Sequence, residues 1–300
     1  MLDLQEQLAQ LRKRVARIDR KYSSFPQMNV PSAENPQQAY ERRLSSPRFF
    51  IEEWAQGTVT ENEHGAHFQM EKLYERHRRH GSADVGALAE LPHTLLNCLS
   101  EGEIASSPPE QWAFLDTETT GLAGGSGTYA FLIGVGRITN RGFHVRQFFM
   151  REYAEERSLL TALSAYLQQF DVLITYNGKT YDQPLLETRY RLNRQKPPFA
   201  QLRHLDLLHG ARRLWKLRLQ NCRLMQLEQQ ILGFERQGDL PGELIPYVYF
   251  EYLRRGEAQR LIPIFHHNAL DILTLGRLTG IVPSACQSTD PETLRELGVR

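Results

Sequence analysis

The sequence predicts an α/β fold built on a mixed sheet that is flanked by helices, and three observations lead to it. Residues 112–116, 129–138 and 142–150 are strand-like runs joined by short turns, a pattern typical of an antiparallel meander. Residues 172–174 are entirely apolar, which is typical of a buried strand with parallel neighbours. Helical patterns follow this run over most of the remaining chain.

The composition is that of an ordinary globular protein, with 41% hydrophobic and 24% charged residues among 300. Because the formal net charge is only +1, affinity for nucleic acid must come from local basic clusters. Cys98, Cys222 and Cys286 are far apart, which argues for a reducing compartment and against a disulfide framework. The charged N-terminal segment does not resemble a signal peptide, and no apolar run of about 18 residues is evident. We therefore expect a cytoplasmic protein without a membrane span.

Residues 1–105 are predicted to form an accessory region ahead of the main domain. Apolar residues recur every three or four positions in residues 2–21, which predicts an amphipathic helix with a solvated basic face. Residues 22–50 are polar and interrupted by proline, as in a linker. Residues 61–80 contain two His-x-x-His pairs without a helical or strand period, so we favour a solvated segment over a zinc site.

The strand at residues 112–116 ends in a pair of carboxylates, Asp116 and Glu118. Side chains alternate faces along a strand, so these two point the same way. Two like charges on one side of a strand repel each other, and a divalent cation such as Mg²⁺ is the usual compensation. The alternative for an isolated pair is a solvated strand end with two surface acids.

Two later segments offer further ligands. Asp182 opens a helix after the apolar strand, and sites in open α/β sheets gather at strand ends. The alternative for Asp182 alone is a helix N-cap. His267 lies four residues before Asp271, so on a helix the two share one face, although a single histidine is usually structural.

Together these segments resemble the motifs of the DEDD exonucleases of the ribonuclease-H-like superfamily. Residues 116–121, Asp-Thr-Glu-Thr-Thr-Gly, are similar to the first motif. Residues 177–182, Asn-x-x-x-Tyr-Asp, resemble the second, and residues 267–271, His-x-x-x-Asp, resemble the third. Each motif is weak by itself, but their order and their strand or helix context make the combination specific.

The closer resemblance is to the YprB-like ribonuclease-H-like family of bacterial proteins. Residues 204–212 and 239–246 are similar to connecting segments of that family. The resemblance implies a ribonuclease-H-like domain over residues 106–283, followed by a C-terminal tail at 284–300. It also implies a helicase as a candidate partner.

The activity that the resemblance implies is a metal-dependent 3′–5′ exonuclease acting on DNA in repair. Two Mg²⁺ or Mn²⁺ ions would be held by four acids: Asp116, Glu118, Asp182 and Asp271. His267 would accept the proton of the attacking water, and His266, five residues before the last acid, is the alternative. Three polar residues of the same motifs would contact the substrate: Thr117, Thr120 and Asn177.

Other activities remain open at this stage. An RNA exonuclease or a structure-specific endonuclease would use the same fold, and no residue visibly reads a 2′-hydroxyl. A protein of a different class, a non-catalytic nucleic-acid-binding module, is the further alternative. An intact set of four acids and a histidine argues against such a module, because clustered buried charges are costly to keep.

A basic stretch supports a polyanionic substrate. Between Arg189 and Arg223 there are ten lysines and arginines but a single acid, Asp206, and aromatic residues are interleaved. Phosphate contacts combined with aromatic stacking are how proteins hold single strands. From this stretch we select three basic residues as substrate contacts: Arg212, Arg213 and Lys216. The alternative is a set of solvated helix faces.

Overall fold

The computed structural model describes residues 51–81, 83–121, 127–288 and 290. The predicted N-terminal helix and the linker that follows it lie outside these residues, as do most of the glycine-rich turn after the first motif and most of the predicted C-terminal tail.

The centre of the described part is one large sheet. The strands are β1 Gly57–Asn62, β2 Gly65–Glu75, β3 Arg79–His80, β4 Ala83–Asp84, β5 Trp112–Thr119, β6 Ala130–Thr139, β7 Gly142–Phe149, β8 Val172–Thr175 and β9 Arg203–Asp206. Seven of them form the sheet in the spatial order β1-β2-β7-β6-β5-β8-β9, and β3 pairs with β4 in a separate ribbon.

The predicted strands take their expected places in this sheet. β5, β6 and β7 form the antiparallel meander, and β8 lies parallel to β5 with Trp112 beside Val172. All four residues of β8 are buried, as its apolar run predicts. β9 continues the parallel part beside β8, and its mostly polar sequence gave no strand signal. The predicted fold class, a mixed sheet flanked by helices, is confirmed.

The N-terminal part of the described chain is more closely tied to this sheet than an accessory region would be. β2 pairs with β7 over eight residues, and β1 pairs with β2. Phe68 and Tyr74 of β2 are buried in the fold. The strand was missed because polar residues occupy most of its remaining positions and hide the alternation. The division at residue 105 stays a prediction, but β1 and β2 belong to the sheet of the following domain.

Two of the four histidines in this region have structural partners. Nδ1 of His67 lies 2.8 Å from Oγ of Ser158, and Nε2 of His80 lies 2.9 Å from Oγ1 of Thr274. Burial lowers the pKa of both imidazoles to about 4. Neither histidine belongs to the acid and histidine group that could hold a metal among the residues that the structure describes.

Helices cover the sheet. They are α1 Glu156–Leu167, α2 Asp182–Leu192, α3 Leu207–Trp215, α4 Leu224–Leu227, α5 Ile245–Arg255 and α6 Ile262–Gln287. A π-helical turn at Glu228–Leu232 continues α4. Pro263 lies in the first turn of α6 and does not stop a helix as predicted, because its missing N–H would be unpaired at that position anyway.

The long helix α6 crosses the face of the sheet and carries the third motif. Gly134 of β6 lets it come close, because a Cβ there would lie 2.2 Å from Oδ1 of Asn268 and 2.1 Å from Cδ1 of Ile272. By length and composition the apolar window in Ala258–Gln287 would suit a membrane span, but 72% of that window is buried inside the protein. Such burial is typical of the core helix of a globular fold.

Candidate active site

The five acid and histidine residues of the three motifs come from three elements and converge. Asp116 and Glu118 lie near the end of β5, and Asp182 is the first residue of α2. His267 and Asp271 lie one turn apart on α6. β5 places the pair of acids at the edge where its parallel neighbour β8 ends and leads into α2.

Glu118 and Asp182 are buried, Asp116 and Asp271 are half-buried, and the charges of these acids repel one another. Burial raises the pKa of Asp116 well above its usual range, and the charges of Asp271 and Asp182 raise it further. Burial and the charge of Asp116 likewise raise the pKa of Glu118. Burial raises the pKa of Asp182 to about 6, although a hydrogen bond from the Thr117 hydroxyl, 2.5 Å long, opposes the shift.

A cation fits the part of this group that is formed by Glu118, His267 and Asp271. One ligand atom from each of Glu118, His267 and Asp271 lies within 4.8 Å of the other two. Oxygen donors from carboxylates suit Mg²⁺ and Mn²⁺, and a divalent charge would relieve the repulsion that raises the acid pKa values. His267 is buried in this group, whereas His266, the alternative proton acceptor, is exposed.

An asparagine that the sequence analysis did not select holds the first acid. Nδ2 of Asn268 donates to Oδ2 of Asp116 over 2.8 Å. Oδ1 of Asn268 in turn accepts a hydrogen bond of 2.8 Å from Nε2 of Gln147 on β7. Asn268 is completely buried, so its amide is fixed between β7 and the acid. Its position beside His267 in the third motif was the available signal.

Arg236 is a second functional candidate that the sequence analysis missed. Its guanidinium donates to Asp271, and it lies 3.0 Å from Oδ2 of Asp239. It also forms a paired bridge with Glu228, with distances of 2.6 and 2.7 Å. Nothing in the local sequence relates Arg236 to a motif 35 positions later.

Asp239 fixes the orientation of the buried histidine. Nδ1 of His267 lies 2.8 Å from Oδ2 of Asp239, and Nε2 lies 3.4 Å from Oδ2 of Asp271. Burial by itself would lower the pKa of His267, but the hydrogen bond to Asp239 and the charge of Asp271 outweigh it and raise the pKa. The imidazole therefore turns its Nε2 edge toward the acidic group.

The loop of the second motif is organised by Asp206 at the end of β9. Its carboxylate accepts from the backbone N–H groups of Asn177 and Lys179, at 2.8 and 3.1 Å, and caps α3 at Leu208. Asn177 has a φ of 67°, a left-handed conformation that asparagine tolerates better than most residues. Its side chain is exposed, so its predicted contact with substrate stays a prediction.

The two threonines selected as substrate contacts have protein partners. The Thr117 hydroxyl donates to Asp182, and Oγ1 of Thr120 accepts a hydrogen bond of 2.9 Å from the backbone N–H of Tyr129. Thr117 therefore orients one of the acids, and Thr120 links the end of β5 to the residue before β6. Their contacts with substrate likewise stay predictions.

The three basic residues selected as substrate contacts are exposed, and their contacts with substrate stay predictions. Arg213 acts electrostatically on the thiols of Cys98 and Cys286. Cys286 follows Asp271 by 15 positions on α6, which corresponds to roughly 22 Å along a helix. Arg212 and Lys216 both act electrostatically on the thiol of Cys222. A strand that contacted Arg213 would have to extend well away from the acidic group.

Comparisons with known proteins identify a family and a relative. A family model described as RNase_H superfamily matches residues 113–282, which include all five converging motif residues. The chain is 40% identical over 165 residues to "Uncharacterized protein YprB" of Bacillus subtilis (strain 168). That alignment covers 54% of this chain and 39% of the relative, so the chain spans well under half of that protein's length.

A solved structure is also similar. It is the family B DNA polymerase from the hyperthermophilic archaeon Pyrobaculum calidifontis, with a TM-score of 0.45 and 14% identity. The similarity covers 63% of this chain and 28% of the polymerase chain.

Proposed function

The chain belongs to the RNase_H superfamily, and from the group of acids in its structure we propose that it is a metal-dependent 3′–5′ exonuclease that hydrolyses phosphodiester bonds. The fold suggests a nuclease. The observation that carries the finer proposal is the convergence of Asp116, Glu118, Asp182 and Asp271, three of which have raised pKa values. Such a group is unfavourable without a cation and is suited to binding one.

The acids would hold two Mg²⁺ or Mn²⁺ ions. When bound, such ions lower the pKa of a coordinated water and stabilise charge on the leaving 3′ oxygen. Protein side chains hold the acids in position. Asn268 and Thr117 hold Asp116 and Asp182 in place, so that the carboxylate oxygens face the common site.

His267 would accept the proton of the attacking water at Nε2. Its other nitrogen, Nδ1, donates to Asp239, and this leaves Nε2 with the lone pair that a general base needs. The raised pKa of His267 would keep the resulting imidazolium stable in the acidic site. The buried position of His267 supports its choice over the exposed His266.

The substrate would be single-stranded nucleic acid or a free 3′ end, and DNA is favoured over RNA. The protein would act in DNA repair in the cytoplasm, with a helicase as its partner. Asn177 and the basic residues of the α3 region, Arg212 and Lys216, are candidates for backbone contacts. These contacts would carry no base preference, because phosphate contacts position a strand without reading its sequence.

The test is cleavage of a single strand labelled at its 5′ end, in the presence of Mn²⁺. Wild-type protein should produce a ladder that shortens from the 3′ end. Asp116→Ala should lose about three orders of magnitude in rate, as when a group that acts in the transition state is removed. Asp171→Ala, which changes an exposed acid just before β8, is the matched control and should cleave normally.

Other outcomes would redirect the proposal. Internal cuts would indicate an endonuclease, and faster cleavage of an RNA strand would indicate an RNA exonuclease. Binding without cleavage would indicate the non-catalytic module. Cleavage that survives unchanged in Asp116→Ala would contradict the assignment of the site.

A further inference from the structure

Arg236 is a buried cation that lies against the candidate metal site. Its side chain is only 5% exposed, and it precedes the loop that leads into α5. A buried guanidinium is stable only when acids surround it. Here it is shared among three of them: Glu228, Asp239 and Asp271.

One edge of the guanidinium is anchored away from the site. Nε and Nη2 of Arg236 bridge to the two oxygens of Glu228, which is completely buried. The hydroxyl of Thr274 on α6 donates to Glu228, and His80 contacts Thr274 in turn. Glu228 is thus fixed from two sides, so Arg236 cannot swing freely into the acidic group.

The other edge reaches into the site. Nη1 lies 3.0 Å from Asp239, the acid that orients His267, and Nη2 donates to Oδ1 of Asp271. The second oxygen of Asp271, Oδ2, lies 3.4 Å from Nε2 of His267. One carboxylate oxygen of Asp271 therefore accepts a hydrogen bond from Arg236, and the other lies on the side of the group that contains Glu118.

From these contacts we propose that Arg236 is a positioning residue that shares Asp271 with the bound cation and thereby limits how tightly the site holds metal. The inference rests on the proposed role of Asp271 as a cation ligand. The physical reason is that a fixed positive charge lets the buried acids coexist before metal arrives and then competes with the metal for the same carboxylate.

Two substitutions separate this role from a structural one, because they should act in opposite directions. Arg236→Lys keeps a positive charge for Glu228 but removes the planar fork that reaches Asp271 at the same time. Asp271 is then released, and affinity for Mn²⁺ should rise about tenfold, which corresponds to the loss of one modest interaction. Glu228→Gln removes the anchor, leaves the guanidinium entirely to Asp239 and Asp271, and should lower the affinity by a similar factor.

The measurement is a titration of the full chain with Mn²⁺ at one fixed pH, with free Mn²⁺ followed by electron paramagnetic resonance. Thermal unfolding in EDTA checks that each variant is folded. Arg254→Lys and Glu251→Gln are the matched controls, since these residues form an ion pair on α5 outside the site. Neither control should change the affinity.

A purely structural role for Arg236 predicts weaker binding in both test variants, and that result would overturn the proposal. If Glu228→Gln does not fold, Arg236→Lys alone decides, and an unchanged or lower affinity contradicts it. A wild-type protein that binds Mn²⁺ but cleaves no nucleic acid would contradict the exonuclease while leaving this inference intact. Absence of Mn²⁺ binding in wild type would overturn both.

Discussion

Glu156 and Arg189 form one buried charged cluster of this protein, and the acids around Asp116 form another. In the first, the guanidinium meets the carboxylate through two hydrogen bonds of 2.6 and 2.7 Å, and Asn193 donates to the same carboxylate. Arg189 also lies 3.7 Å above the ring of Tyr129. Every strong charge in this cluster has a protein partner of opposite sign.

The second cluster is not balanced in this way. Asp116, Glu118 and Asp182 have raised pKa values, because burial and mutual repulsion exceed the stabilisation that the protein provides. Arg236 contacts only the Asp271 side of the group. The first cluster therefore stabilises the fold, whereas the second is suited to binding a cation. Substitutions made in each cluster separately would test this difference.

The largest expected effect on stability lies in the balanced cluster. Glu156→Gln leaves Arg189 buried without a full countercharge, and breaking a buried pair in this way costs about 3–5 kcal/mol. Denaturant unfolding should give the same loss in EDTA and in Mn²⁺. Asp116→Asn is the comparison. In EDTA this variant should unfold no more easily than wild type, because the substitution removes a carboxylate charge that the neighbouring acids repel. A strong destabilisation by Asp116→Asn in EDTA would erase the distinction between the clusters.

A smaller effect is expected from metal in the unbalanced cluster. If Mn²⁺ binds the folded state alone, a hundredfold excess over its dissociation constant should stabilise the wild-type protein by about 2.7 kcal/mol. EDTA should reverse the gain, and thermal unfolding would measure it. Asp116→Asn should lose most of the stabilisation, while Glu156→Gln should retain it. Equal responses in both variants would indicate that the cation binds elsewhere.

A third effect concerns a site that is buried but uncharged. Burial, with help from the charge of Arg151, lowers the pKa of His67 from 6.5 to about 4. In the unfolded chain the His67 imidazole therefore binds a proton near pH 6.5, whereas in the folded protein it binds one only near pH 4. Stability should fall as pH drops through this window, by about 3 kcal/mol for a shift of this size.

Denaturant unfolding at a series of pH values would measure this contribution. His67→Gln should flatten the acid side of the profile, but only in part, because His80 and His204 have pKa values lowered in the same direction. His77→Gln is the control, since that side chain is exposed. An unchanged profile in His67→Gln would show that its imidazole does not contribute.

Local pattern in the sequence was enough to find the central strands and the residues that converge in the candidate site. The meander and the buried strand β8 follow from periodicity and apolar runs, which depend on neighbouring residues alone. Motif spacing in the sequence also predicted that five residues would meet at one edge of the sheet: Asp116, Glu118, Asp182, His267 and Asp271. These five residues do converge in the structure.

Only the tertiary structure decided how this site is supported, because the supporting contacts join distant parts of the chain. Asn268 reaches Asp116 across 152 positions, and Arg236 reaches Asp271 across 35. β2 joins the sheet through pairing with β7, a contact that no local period predicts. The candidate site residues have a recognisable spacing in the sequence. The residues that orient and neutralise them are related to them only by proximity in space, which exists only once the chain has folded.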